Sequence, residues 1–299
     1  MTVEAGTAVI TPFADGLSYA FRAMGSPCEV RVETSDLALA ARLGECVETE
    51  ALRIEYKYSR YRPDSVVSQI NTAQDEPICV DAETAALLDY AAQCYRLSGG
   101  KFDITSGVLR RVWRFDGSDR VPSRAQVAEL LPLIGWDKVS WHNPNIQMPH
   151  GMEIDFGGFG KEYAVDSALI KARGQCDVPL LINFGGDLCV SGPRADGGRW
   201  QVAIESVDQA GAVDGRLQLS SGALTTSGDA RRFLQKNGVR YSHILDPRTG
   251  WPVKNPPRSV TVAAQTCVEA GIMSTLAMLH GARAEHFLKR ERLQAWFVR

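Results

Sequence analysis

The chain reads as an α+β protein: a single large mixed domain over residues 1–299, made of two packed halves, with helices on antiparallel or mixed sheets. Three observations carry that reading. Helical periodicity is concentrated toward the two ends of the chain, short strands separated by Gly, Asp and Pro fill residues 200–262, and two apolar runs break off in consecutive glycines. A doubly wound α/β sheet would instead alternate strand and helix throughout, and no fixed-period repeat is present.

Taken in order, residues up to about 19 are assigned to a leader segment outside the packed core. Residues 29–33 alternate as a strand, and Ser35-Asp36 then caps a long amphipathic helix carrying Leu37, Ala40, Ala41, Leu43, Val47, Leu52 and Ile54. Asp81 opens a second helix through Leu87, Leu88, Ala91, Ala92 and Tyr95, ended by Gly99-Gly100 as a left-handed cap requires. Ser123 and Gln126 form a capping box for a third. Residues 138–156 read as a hairpin turned at His142-Asn143-Pro144-Asn145, which would deliver Asp155 to a strand end. A helix over 160–173 leads into a strand at 180–183. Helices over 267–279 and 283–292 precede a closing strand at 295–298.

Composition narrows the partners. With 33 Lys and Arg against 35 Asp and Glu, the formal charge is -2, which provides no electrostatic footprint for nucleic acid or an anionic membrane surface. No segment approaches transmembrane length. The 7 cysteines are scattered and lack Cys-x-x-Cys or Cys/His ligand spacing, so they read as thiols in a reducing, cytoplasmic compartment.

The two glycine-broken segments are Ile154-Asp155-Phe156-Gly157-Gly158-Phe159-Gly160-Lys161 and Leu181-Ile182-Asn183-Phe184-Gly185-Gly186-Asp187. Each sets bare backbone beside charged or polar side chains, the pattern of a cofactor crevice. The first is not a phosphate loop, because Asp155 stands where that motif begins with Gly and Glu162 follows the lysine where Ser or Thr is needed. Tyr163 occupies the third small position of a dinucleotide fingerprint, and Asp155-Phe156-Gly157 lacks the His-Arg-Asp partner of a kinase. Downstream, Arg240-Tyr241-Ser242-His243-Ile244-Leu245-Asp246-Pro247 is an alternating strand that carries His243 and Asp246 into a turn. A lone histidine is ordinarily structural; beside a glycine crevice it becomes a candidate for chemistry.

These blocks carry a resemblance. Met24-Gly25-Ser26, Ser59-Arg60-Tyr61 with Asp64-Ser65, Phe102-Asp103-Ile104-Thr105, the 155–166 block, Asn183 with Gly185-Gly186-Asp187, Thr226-Ser227-Gly228-Asp229 and the 243–250 block stand in register with the FAD:protein FMN transferase family. These are flavin transferases of the thiamine-biosynthesis-lipoprotein type. The resemblance covers nearly the whole chain. It implies an enzyme that splits the FAD pyrophosphate, attaches FMN through a phosphoester to a Ser or Thr of an acceptor flavoprotein, and releases AMP with magnesium as the metal. It also implies FAD contacts from Met24, Tyr61, Phe102, Asp103, Asp155, Lys161, His243 and Leu245, with His243 and Lys161 as the catalytic pair and the Gly158 region and Thr275 at the metal.

The residue types suit that chemistry. Lys161 can stabilise charge gathering on a cleaved pyrophosphate, His243 can take a proton from a hydroxyl, and Tyr61 or Phe102 can stack on a ring or serve as core. Asp103 and Asp155 can equally cap turns, and Thr226-Ser227-Gly228 can shape one. One departure stands out: the metal-binding Asp of the family's late block is Gly271 here, within Glu269-Ala270-Gly271-Ile272-Met273-Ser274-Thr275. Glu269 lies about 160° around the helix from that position and is not expected to substitute. The alternatives are an FAD-binding protein with lost or altered metal-dependent chemistry, and an FAD pyrophosphate hydrolase.

Overall fold

The computed structural model describes residues 8–73, 75–206, 209, 212–229 and 232–299. Its centre is an eight-stranded sheet in the spatial order Val9–Phe13, Gly16–Ala23, Ser26–Val32, Leu180–Phe184, Asp187–Val190, Gly222–Gly228, Ser259–Ala264 and Gln294–Val298. Every neighbouring pair is antiparallel. The α+β class therefore holds, with an antiparallel sheet.

Among the described residues seven α-helices accompany it: α1 (Leu37–Tyr58), α2 (Val66–Thr72), α3 (Ala82–Leu97), α4 (Arg124–Leu130), α5 (Gly160–Arg173), α6 (Cys267–Leu279) and α7 (Ala284–Arg290). Local chemistry sets their ends. Asp36 accepts from the amides of Ala38 at 2.9 Å and Leu39 at 3.2 Å, Asp81 caps α3, and Ser123 with Gln126 closes both bonds of the capping box on α4. α3 gives way to Gly99 and Gly100, both with positive φ, as glycine at a helix C-terminus permits.

The buried stripe of α1, Ala40, Leu43, Val47, Ala51 and Ile54, repeats at three and four residues. α5 packs between α1 and α6, and these helices cover one face of the sheet. Alternation along Leu180–Phe184 divides the strand between two cores: Leu180 and Ile182 face the helices, while Leu181 joins Leu188, Trp200 and Leu219 on the opposite face. A third cluster gathers Val108, Leu109, Trp113, Val127, Leu130, Ile134 and Leu234 beneath the 243–250 turn.

The structure corrects four expectations. Residues 9–19, within the stretch assigned to a leader, belong to the first two strands of the main sheet, Val9–Phe13 and Gly16–Ala23, and residues 1–7 of that assignment lie outside the described residues. α2 was not expected, although Ser65 caps it through the Ser68 amide at 3.0 Å. The hairpin over 138–156 is confined to Ser140–His142 and Asn145–Gln147. Asp155 consequently stands in an irregular segment ahead of α5 and not at a strand end. Only the second glycine break is a strand end, where Gly185 and Gly186 make a two-residue turn at φ 62° and 103° between Phe184 and Asp187.

Candidate functional site

An open cleft of about 1930 Å³ runs between the main sheet, the 102–115 segment and the 243–247 turn. Met24, Tyr61, Phe102, Asp103 and Asp155 all line it. So do Gly158, Lys161, His243, Leu245 and Thr275. The fold thus brings every predicted site residue to one cavity, from segments spread over most of the chain.

The wall around Asp155 is tightly specified. Asp155 pairs with Arg60 and accepts the Gly157 amide at 2.9 Å. Asn71, on α2, clamps the preceding residue by accepting from the Ile154 amide at 2.8 Å and donating to its carbonyl at 3.0 Å. A Cβ on Gly158 would lie 3.0 Å from the Phe102 ring, so glycine lets the segment close against that aromatic. Phe102 is a core residue at 5% exposure, whereas Tyr61 is 77% exposed, its hydroxyl accepting from Arg60 at 2.8 Å. Of the two, Tyr61 is the accessible one, and the Arg60 guanidinium lies over its ring at 4.9 Å from the centroid. Met24 holds φ 51° with its amide donating to Glu55 at 2.9 Å.

Asp103 also lies on the wall, but its carboxylate is occupied. Oδ1 accepts from the Thr105 amide at 2.8 Å and hydroxyl at 2.6 Å, and Oδ2 from the Trp136 amide at 3.2 Å. It is a buried cap, one of the alternatives its residue type left open.

Lys161 enters from the first turn of α5, with Nζ 2.6 Å from Asp187 at the start of a strand. Burial works against the ammonium, yet the Asp187 carboxylate outweighs it and holds the lysine protonated. The next residue, Glu162, is buried, and burial together with Asp187 pushes its carboxyl up to about 8. Its Oε2 has no hydrogen-bond partner among the described residues. Glu162 abuts Gly271, where an added Cβ would lie 2.6 Å from Glu162 Cγ. One turn farther along α6, Thr275 meets Ser227 at 3.2 Å, and Ser227 meets Ser274 at 2.7 Å. Ser227 belongs to Gly222–Gly228, so that block is a strand delivering hydroxyls and does not shape a turn.

His243 follows the strand Val239–Ser242, and its Nδ1 sits 3.1 Å from the Arg232 carbonyl. A carbonyl can only accept, so Nδ1 carries the proton and Nε2 keeps its lone pair. Burial and the Arg232 charge lower its pKa to about 4, leaving the ring neutral at physiological pH. The Phe115 ring stands edge-on at 6.2 Å, and Phe115 stacks in turn on Trp113 at 5.5 Å. Trp113 Nε1 donates to the Gly250 carbonyl at 2.9 Å, anchoring the far end of the turn.

The model of the ApbE family matches residues 24–297. The chain belongs to the ApbE family. An FAD:protein FMN transferase of Klebsiella pneumoniae (strain 342) is 30% identical over 293 residues, 94% of this chain and 88% of that protein. The FAD:protein FMN transferase of Haemophilus influenzae is 27% identical over 298 residues, 94% and 86% of the two chains. The solved ApbE protein of Thermotoga maritima superposes with a TM-score of 0.85 at 29% identity, covering 97% of this chain and 94% of that one.

Arg60 and Ser227 stood in the sequence only as members of the family-like blocks, with no role of their own, and neither Glu162, on the cleft wall, nor Asn71, behind it, was singled out. Glu162 had a usable signal. It precedes Val165, Ala168 and Ala172 at helical spacing, which places a carboxylate on the apolar stripe of α5. Asn71 had none, because its partner lies 83 residues away, and the Arg60 block did not disclose the pairing with Asp155, 95 residues away.

Proposed function

We propose that this chain transfers FMN from FAD to a Ser or Thr hydroxyl of an acceptor flavoprotein, releasing AMP. The observation that carries the reading is the convergence of its candidate residues on one cleft, beside a histidine held neutral with Nε2 unprotonated.

The acceptor hydroxyl oxygen attacks the FMN-side phosphorus, its proton passes to His243 Nε2, and the bridging P–O bond breaks with its electron pair leaving on AMP. Lys161, fixed by Asp187, offers a positive charge to the pyrophosphate as negative charge builds on the leaving oxygen. Tyr61 offers an exposed ring face for stacking, and Arg60 keeps Asp155 and the glycine segment in place. Magnesium, when bound, would neutralise phosphate charge, with Thr275 and the Gly158 backbone as its neighbours on this chain. The donor set fits such a cation, since Glu162 brings an unpartnered carboxylate oxygen beside Gly271. The 7 free thiols support an acceptor in the cytoplasm.

The test is incubation with FAD, magnesium and a protein carrying a Ser/Thr flavinylation motif, followed by a denaturing gel viewed for flavin fluorescence. A covalently fluorescent acceptor is expected. Tight FAD binding with no labelled acceptor across a wide magnesium range would refute the transferase reading and favour a flavin-binding protein, the alternative that Gly271 motivates. Free FMN and AMP without label would point to hydrolysis.

A further inference from the structure

We propose that Glu162, and not residue 271, supplies this chain's carboxylate to the divalent cation of the flavin-phosphate site. The inference rests on the transferase reading only for where the phosphates lie.

Glu162 is 8% exposed, lines the cleft, and leaves Oε2 without a hydrogen-bond partner among the described residues. A buried carboxylate oxygen with no donor is a rare and costly arrangement, and a bound cation is one of the few things that satisfies it. Its position is equally specific. A Cβ on Gly271 would come within 2.6 Å of Glu162 Cγ and 2.7 Å of Oε1, so the glutamate occupies the volume that a longer residue at 271 would need. A carboxylate reaching this spot from α5 stands where one from α6 would otherwise stand.

The neighbours complete an oxygen-rich corner. Thr275 lies four residues beyond Gly271 on the same face of α6, and its hydroxyl is 3.2 Å from that of Ser227. Both line the cleft with Glu162. Lys161 does not balance Glu162 closely, because its ammonium sits on Asp187 at 2.6 Å. Glu269, the other acidic residue of this helical turn, is exposed and accepts the Gln265 amide at 3.3 Å. Among the described residues no three His, Cys, Asp or Glu side chains form a metal cluster. The cation would therefore have one protein carboxylate, a hydroxyl, phosphate oxygens and water, the kind of shell that a small hard ion accepts. One consequence is that Gly271→Asp alone does not rebuild the site, since its new side chain collides with Glu162.

The experiment is a Mn²⁺ titration of the full-length chain, with and without FAD, followed by loss of the free-ion EPR signal. Glu162→Gln is expected to weaken Mn²⁺ binding about tenfold or more, with a metal-free melting temperature close to wild type because the amide matches the carboxyl in size and Oε2 makes no hydrogen bond for it to lose. Glu269→Gln should bind as wild type. Glu162→Ala should lose Mn²⁺, and Glu162→Ala/Gly271→Asp should regain it, which decides the matter if Glu162→Gln does not fold. A Glu162→Gln or Glu162→Ala protein that folds and binds Mn²⁺ as tightly as wild type overturns the proposal, as does a wild-type chain that takes up no Mn²⁺ in either condition. The readout is independent of FMN transfer: a chain that labels no acceptor yet loses Mn²⁺ with Glu162 upholds this inference while sinking the transferase reading.

Discussion

Arg60 and Asp155, 95 residues apart, form an ion pair that ties the loop after α1 to the glycine segment before α5. Both side chains are about four-fifths buried, at 18% and 20% exposure, so water screens the pair only partly. The pair also frees Asp155 Oδ1 to hold the Gly157 amide, so one carboxylate fixes two parts of the cleft wall.

Arg60→Ala is expected to lower unfolding stability by about 2 kcal/mol and weaken FAD binding about tenfold, because it leaves Asp155 unpaired in a partly dry wall. Asp155→Ala should cost a similar amount, and the double variant clearly less than the sum of the two. Urea unfolding and flavin-fluorescence titration of the four proteins measure the coupling; strictly additive losses would show that the pair is incidental.

For His243, the folded chain disfavours the imidazolium, so its pKa falls from the ordinary 6.5 to about 4. As pH drops below 6.5 the unfolded state takes up the proton first. The contribution to stability is therefore complete above about 6.5 and is lost progressively down to about 4, a window shared with His280, whose pKa is also near 4. Replacing both histidines with Gln should flatten the decline in urea midpoint over that interval. His243→Gln alone should slow FMN transfer by about 10²–10⁴ while FAD still binds. Phosphate charge close to the ring should also place the acid limb of kcat at higher pH than that of kcat/KM.

Asp103→Ala should act on the fold before it acts on flavin. It strips the partners from the buried amides of Thr105 and Trp136, a loss of about 2–3 kcal/mol in unfolding free energy. Asp103→Asn, which keeps an acceptor oxygen, should lose less. A stable Asp103→Ala protein with impaired FAD binding would instead make the carboxylate a direct ligand.

Thiol chemistry should be sharply graded. Burial raises Cys28 and Cys94 to about 11 and pushes Cys189 and Cys267 well above the ordinary range, so none of the four offers a thiolate at neutral pH. Cys79 is exposed. Iodoacetamide followed by mass mapping should label Cys79 first, Cys46 and Cys176 more slowly, and the buried four only on unfolding.

Much of this was legible where local chemistry decides. Residues 160–173 and 267–279 are helices over the spans the pattern predicts, because Gly160 and Thr266 begin them and apolar spacing continues them. Asp36, Asp81 and Ser123 cap as short-range rules require. Failures arose where a distant partner decides. Residues 148–156 are held irregular by Asn71 and by the Asp155 amide donating to the Ile104 carbonyl at 2.9 Å, contacts no hairpin pattern contains. Residues 9–23 look weak in isolation, but Val9–Phe13 pairs with Gly16–Ala23, which pairs in turn with Ser26–Val32. At the site, types and spacing singled out Lys161 and His243, which the fold brings to one cleft, whereas the absent carboxylate at Gly271 drew attention to α6 and away from Glu162 on α5.

The cleft takes its walls from Ala20 at one extreme and Leu279 at the other, and the strand carrying Ser227 is inserted between neighbours from residues 187–190 and 259–264. During synthesis, then, the N-terminal strands and α1 can settle long before any flavin pocket exists. FAD can act as a ligand only for the finished chain, and its capture marks the moment at which translation has delivered α6 to the sheet.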